Sequence, residues 1–256
     1  MSMKSKAIAT AATLTLVGGV GAVATFSASA ATPSCGDNCI NIFSREFGTH
    51  FHPNYVMDVL RQGANVGQPV ILFRTSNSDP AEDFTLSFQG TTADFYAAGL
   101  VSPSVALHYG CIPAGTAGAN FPNCFNGIAI DDPAFEVEYA PYGVDSGLCV
   151  GVAATATQNE GVTLQPCGVS SKTVWILDLN DSPQPLHSDY VPLINGSDTN
   201  FSHPFVLTYP KNGFPTDRPR PQLLTQNLTG FSHGFGSPIG SVQDNQLWGA
   251  DFGVLR

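Results

Sequence analysis

Charge is scarce in this chain. Asp, Glu, Lys and Arg make up only 12% of its 256 residues, and acids outnumber bases by 20 to 10. A surface that grips nucleic acid or an anionic membrane needs clustered Lys and Arg, so neither is expected as a partner. Sustained helical spacing of apolar residues is also missing, and 26 Gly and 19 Pro are spread through the chain, a density that excludes long helices. No Gly-x-Ser-x-Gly elbow, His-Glu-x-x-His helix or phosphate loop occurs, and no cofactor is expected. After Phe26 no apolar run reaches the roughly 20 residues of a membrane span.

What is present begins with an export signal. Lys4 and Lys6 precede an uncharged Ala/Val/Leu/Gly run from Ala7 to Phe26, and small residues follow at Ala28-Ser29-Ala30, the order of a cleavable secretory signal over residues 1–30. The run is rich in Ala, Gly and Thr and lacks a positive flank on its far side, which argues against a retained anchor. Cleavage removes two of the ten bases, so residues 31–256 are more acidic than the formal charge of −10 for the whole chain. The expected location is extracellular. A weakly charged, acidic surface of this kind suits a neutral glycan or an extracellular protein as partner.

All six cysteines, Cys35, Cys39, Cys111, Cys124, Cys149 and Cys167, follow the signal. An even count in an oxidising compartment predicts three disulfides rather than a metal site. Connectivity is open among 15 pairings. Proximity in sequence favours Cys35–Cys39, Cys111–Cys124 and Cys149–Cys167.

Short β-rich runs recur between Gly, Pro, Asn and Asp clusters, and three blocks share one order of features. The first runs Ile40 to Phe43, Val56 to Val59, Pro69 to Phe73, then Glu82-Asp83-Phe84. The second runs Phe135 to Tyr139, Cys149 to Val152, Val162 to Cys167, then Thr173-Val174-Trp175. The third runs Phe205 to Tyr209, Leu223 to Gln226, Pro238 to Val242, then Asn245-Gln246-Leu247-Trp248. About 40 residues separate the first strand from the closing aromatic in each. This spacing predicts one all-β domain of three pseudo-repeats over residues 31–256, divided at about 40–132, 133–203 and 204–256. Long loop insertions near residues 90–132 and 178–203 must be accommodated.

The stretch Gly147-Leu148-Cys149-Val150-Gly151-Val152, through Leu164-Gln165-Pro166-Cys167 to Trp175, resembles one repeat of a ricin-B-type β-trefoil. Gln246-Leu247-Trp248 is similar to that family's Gln-x-Trp motif. The resemblance implies a Cys149–Cys167 bridge and makes Phe84, Trp175 and Trp248 threefold-related core residues. It also implies sugar binding, in which an Asp of the second strand takes hydroxyls, an aromatic of the third strand stacks on the ring, and an Asn-Gln pair completes the hydrogen bonds. Only the first block keeps both main parts, Asp58 and Phe73, with Glu82 in place of the Gln. Gly151 and Gln165 leave the second block without them. The third keeps Asn245 and Gln246, with Thr225 or Gln226 at the Asp position.

Other chemistry is thin. Glu46, His50 and His52 read as polar surface rather than metal ligands, and Asp131, Asp132 and Asp145 as turn caps rather than a glycosidase pair. The sequons at Asn195, Asn200 and Asn227 read as ordinary loop sequence. The expected function is therefore a secreted, non-catalytic, carbohydrate-binding protein. A protein-binding or inhibitor scaffold is the first alternative, and a secreted hydrolase with an unrecognised site the second.

Overall fold

The structure, a computed structural model, describes residues 39–49, 52–53, 55–76, 79–110, 131–177, 190–210, 220–229 and 242–252. The signal segment, Cys35, His50, Cys111 and Cys124 lie outside the described residues, as does most of the Pro238 to Val242 segment.

Fourteen strands are described, and twelve join one sheet. The first unit holds β1 (Ile40–Ser44), the short pair β2 (Gly48–Thr49) and β3 (His52–Pro53), then β4 (Tyr55–Val59), β5 (Val70–Arg74) and β6 (Phe84–Thr91). Two short helices, α1 (Thr92–Ala97) and α2 (Pro103–Tyr109), follow within the expected loop. Their starts are legible locally: Thr91 and Asp94 form a reciprocal capping box, and Ser102 caps the backbone N–H of Val105 ahead of Pro103. The second unit holds β7 (Pro133–Tyr139), β8 (Leu148–Val152), β9 (Glu160–Pro166) and β10 (Val174–Leu177). Four more strands complete the chain: β11 (Leu193–Asn195), β12 (Phe205–Thr208), β13 (Leu224–Asn227) and β14 (Trp248–Phe252).

The pairings close a ring. β1 pairs β6, β6 pairs β7, β7 pairs β10, β10 pairs β11, a bridge links Val191 to Trp248, and β14 returns to β1. Each closing aromatic faces the start of its own unit, since Ile40 pairs Phe84, Phe135 pairs Trp175 and Val191 pairs Trp248. Each also faces the next unit, at Tyr139, Asn195 and Ser44. Hairpins β4–β5, β8–β9 and β12–β13 cap one end, where the Leu223 N–H donates to Val70 O and the Val162 N–H to Leu223 O. A barrel closed by three hairpins about a pseudo-threefold axis is a β-trefoil, as expected from the sequence.

The third unit corrects the sequence reading. Leu193–Asn195, within the supposed loop at 178–203, is its first strand, because it occupies the place of β1 and β7 in the ring. Phe205–Thr208 is then the second strand rather than the first, and Leu224–Asn227 the third rather than the second. The start of this unit accordingly lies before residue 204.

The core follows from alternation. In each hairpin, residues facing the axis are buried and, Thr225 apart, apolar: Met57 with Leu72, Val150 with Leu164, and Leu207 beside the smaller Thr225. Phe84, Trp175 and Trp248 fill one layer at 0–1% exposure. The Trp175 and Trp248 indoles donate to the carbonyls of Val150 and Leu207 at 2.9 and 2.8 Å. Cys149 and Cys167 are disulfide-bonded across the second hairpin. Cys39 is disulfide-bonded too.

Candidate functional site

Register makes the three units comparable residue by residue. Phe43 faces Val56, Glu138 faces Cys149, and Ile194 faces Val206, so two positions further on Asp58, Gly151 and Thr208 are equivalent. Across the hairpins Val56 pairs Phe73, Cys149 pairs Gln165, and Val206 pairs Gln226. The position equivalent to Asp58 in the third unit is thus Thr208, not the expected Thr225 or Gln226. A short 3-10 turn precedes each closing aromatic, which aligns Glu82, Thr173 and Gln246.

The same corner is built three ways. In the third unit the Gln246 amide donates to Asn227 O (2.9 Å) and to Thr208 Oγ1 (3.3 Å), and its oxygen accepts from the N–H and hydroxyl of Thr229. In the second unit there is no room for a side chain on Gly151, since a Cβ would stand 2.6 Å from Lys172 O and 2.9 Å from Thr173 Cγ2. There Glu136, from β7, accepts from the Gly168 N–H and the Thr173 hydroxyl. In the first unit Glu82 accepts from the Ser76 N–H at 2.9 Å and from Thr75 Oγ1 at 3.3 Å. A carboxylate has no N–H with which to answer Asp58, so two acids meet where the third unit has an amide and a hydroxyl.

A third acid completes the group. Asp79 caps the turn by accepting from the Ala81 N–H (3.0 Å), and it accepts from Gln62 Nε2 (2.9 Å). Gln62 and its neighbour Arg61 both hold left-handed backbone, at φ 58 and 59, a conformation that costs a non-glycine residue about 1 kcal/mol or more. One carboxylate oxygen each from Asp58, Asp79 and Glu82 lie within 4.8 Å of one another. Burial, reinforced by the charge of Asp79 and opposed by Arg220, pushes the Asp58 carboxyl up to about 7. Burial likewise pushes Glu82 up to about 8, with Asp58 and Asp79 adding to it and the hydrogen bonds from Ser76 and Thr75 opposing.

Phe73 is half-buried on the outward face of the first hairpin, diagonal to Asp58 and away from the barrel core. Its ring carries the Arg220 guanidinium at 3.7 Å from the centroid. Asp58, Phe73 and Glu82 are therefore brought together, while Asn245 and Gln246 are not. Those two are buried at 3% and 2% and serve the fold, Asn245 by donating to Tyr209 O and Gln246 through the bonds given above.

Asp79 and Arg220 were missed by sequence reading. Asp79-Pro80 signals a turn cap, which it is, and Arg220 belongs to a Pro-rich run of a different unit. The other acids weighed in the sequence do local work: Asp131 accepts from the Ala93 N–H at the start of α1, and Asp145 accepts from Thr85 Oγ1. Asn195 is fully buried and its amide donates to Lys172 O, so its sequon is not an open acceptor.

No protein-family model matches the chain, and no curated protein matches it. Among solved structures it is similar to the designed threefold-symmetric protein ThreeFoil, at 13% identity over 83% of this chain and 97% of that one, with a TM-score of 0.45. It is similar also to the Rhizoctonia solani agglutinin, at 14% identity over 83% and 94%, TM-score 0.43. A mosquitocidal holotoxin matches at 11% identity over 83% of this chain and 17% of that chain, TM-score 0.44. The β-trefoil assignment rests on the strand pairing.

Proposed function

We propose that this protein is an exported, non-catalytic β-trefoil that binds a neutral glycan through its first unit. One observation carries the reading: of three equivalent hairpins, only the first sets an acid on its second strand diagonal to an aromatic on its third. Asp58 supplies acceptors for a hydroxyl pair, and Phe73 supplies an apolar face. Arg220 shares that face, so a sugar takes the remaining exposed part of the ring or displaces the guanidinium. Export is the expectation raised by residues 1–30, and cell fractionation tests it.

Glycan-array binding by the processed protein is the test. Asp58→Ala and Phe73→Ala are each expected to weaken binding at least tenfold, and Arg220→Ala to tighten it several-fold by freeing the ring. No turnover of the bound glycan is expected. A silent array for the unaltered protein overturns the proposal. The stacked Arg220 favours a second reading, a protein-binding trefoil whose sugar site is closed, and under it Arg220→Ala leaves the array silent.

A further inference from the structure

We infer that Asn227 is an acceptor for N-linked glycosylation when the chain is exported through a pathway that carries a lipid-linked oligosaccharide, and that the fold bars Asn195 from the same modification. The inference rests on the export expected from residues 1–30 and not on the glycan-binding reading.

Three Asn-x-Ser/Thr sequons lie within the described residues: Asn195-Gly196-Ser197, Asn200-Phe201-Ser202 and Asn227-Leu228-Thr229. A further one, Asn180-Asp181-Ser182, lies outside them. Such a tripeptide is common in loops and by itself marks nothing. What separates the three is the work each side-chain amide does in the folded chain. Asn195 is 0% exposed, its Nδ2 donates to Lys172 O at 3.0 Å, and its Oδ1 accepts from the Ser197 N–H (3.1 Å) and hydroxyl (2.6 Å). It also stands opposite Trp175 in the sheet. A sugar on that nitrogen would cost the bond to Lys172 O and drive a bulky polar group into a place without solvent.

Asn227 is the opposite case. It ends β13 and is exposed. Its backbone is held on both sides, the N–H donating to Gln158 Oε1 and the carbonyl accepting from Gln246 Nε2, each at 2.9 Å. Among the described residues its side-chain amide has no hydrogen-bond partner. A glycan on Nδ2 therefore breaks no bond and projects into solvent. Asn200 is half-buried, and its Oδ1 accepts from Ser202 Oγ at 3.0 Å while Nδ2 is unused, so partial occupancy is expected there.

Chain order makes the Thr229 hydroxyl available at the right time. In the folded protein it donates to Gln246 Oε1 (2.7 Å) and accepts from the Gln243 N–H (3.2 Å). Both glutamines follow the sequon in the sequence, so the hydroxyl is unengaged while the chain is still emerging. In the transfer, Asn227 Nδ2 bonds to the anomeric carbon of the donor sugar and the bond from that carbon to the lipid diphosphate breaks. The diphosphate leaves with the electron pair, and one amide proton passes to a base of the transferase. No oxidant or reductant enters.

The test is expression of the full-length chain, with its own signal, in a yeast, with the culture medium and the cell membranes analysed separately. Digestion by peptide N-glycosidase in heavy-oxygen water turns each occupied Asn into labelled Asp, which peptide mass spectrometry locates. Asn227 should be labelled in most chains of both fractions. Asn195 should be unlabelled in the medium, because chains modified there fail to fold and stay with the cells. Asn227→Gln should remove one glycan, read as a one-step gain in gel mobility, and leave the urea midpoint of the deglycosylated protein unchanged. An unlabelled Asn227 in both fractions, or a labelled Asn195 in the medium, overturns the inference. A silent glycan array from protein occupied at Asn227 counts against the binding reading alone, so the two failures are distinct.

Discussion

In the third unit Gln246 joins Thr208, Thr229 and Asn227 in a corner where each donor meets an acceptor. In the first unit Glu82 accepts from the Ser76 N–H and the Thr75 hydroxyl, and it meets Asp58 where the third unit pairs an amide with a hydroxyl. The hairpin registers coincide in both. The same corner is thus built either around an amide that donates or around acids that repel one another and hold their protons more tightly. The second unit removes the issue by having no side chain at Gly151.

The sharpest way to break the comparison is Gly151→Asp, which installs the acid of the first unit in the second. The new Cβ would collide with Lys172 O, and a charge would be buried without a partner. A loss of at least about 3 kcal/mol in denaturant unfolding is expected. Next comes pH. Asp58 and Glu82 hold protons more tightly folded, at about 7 and about 8, than unfolded, at 3.8 and 4.5. Their contribution is thus fully present below about pH 4 and lost as pH rises through 7 to 8. Stability should fall between pH 5 and pH 9 by on the order of 2–4 kcal/mol for the coupled pair, allowing for solvent screening. Glu82→Gln, which gives the first unit the side chain of the third, should flatten that fall and raise stability at pH 9. The smallest effect is expected for Trp248→Phe, which copies Phe84 and deletes the bond to Leu207 O. A cost of about 1–2 kcal/mol is expected, measured by urea unfolding.

The sequence made parts of this legible and hid others for physical reasons. The second unit was readable because β9 is seven residues long and largely alternates, and because a bridged cysteine pair joins it to β8. Glu82 was readable because it lies two residues before the closing aromatic, and Asp58 because it stands on the second strand of the first block. The first strand of the third unit was not, because Leu193–Asn195 is only three residues long and sits among Pro, Asn, Gly and Ser that signal a loop. Taking Phe205 as the start shifted the unit by one strand and moved the position equivalent to Asp58 from Thr208 to Thr225. Asn245 and Gln246 fit a binding motif by type, yet nothing in their identity tells whether the amides turn outward or into the fold. Arg220 reaches Phe73 from another unit, a contact no local pattern contains.

The pairing of β14 with β1, five residues deep from Ile40 opposite Phe252 to Ser44 opposite Trp248, has a consequence in time. The earliest described strand has no neighbour on that side until the last one is available, and Arg220 must also arrive before Phe73 is covered. A ribosome-bound or truncated chain ending before Trp248 would expose a bare strand edge open to pairing with other chains. Completion of the barrel is thus a single late event, dominated by contacts between distant residues and correspondingly slow.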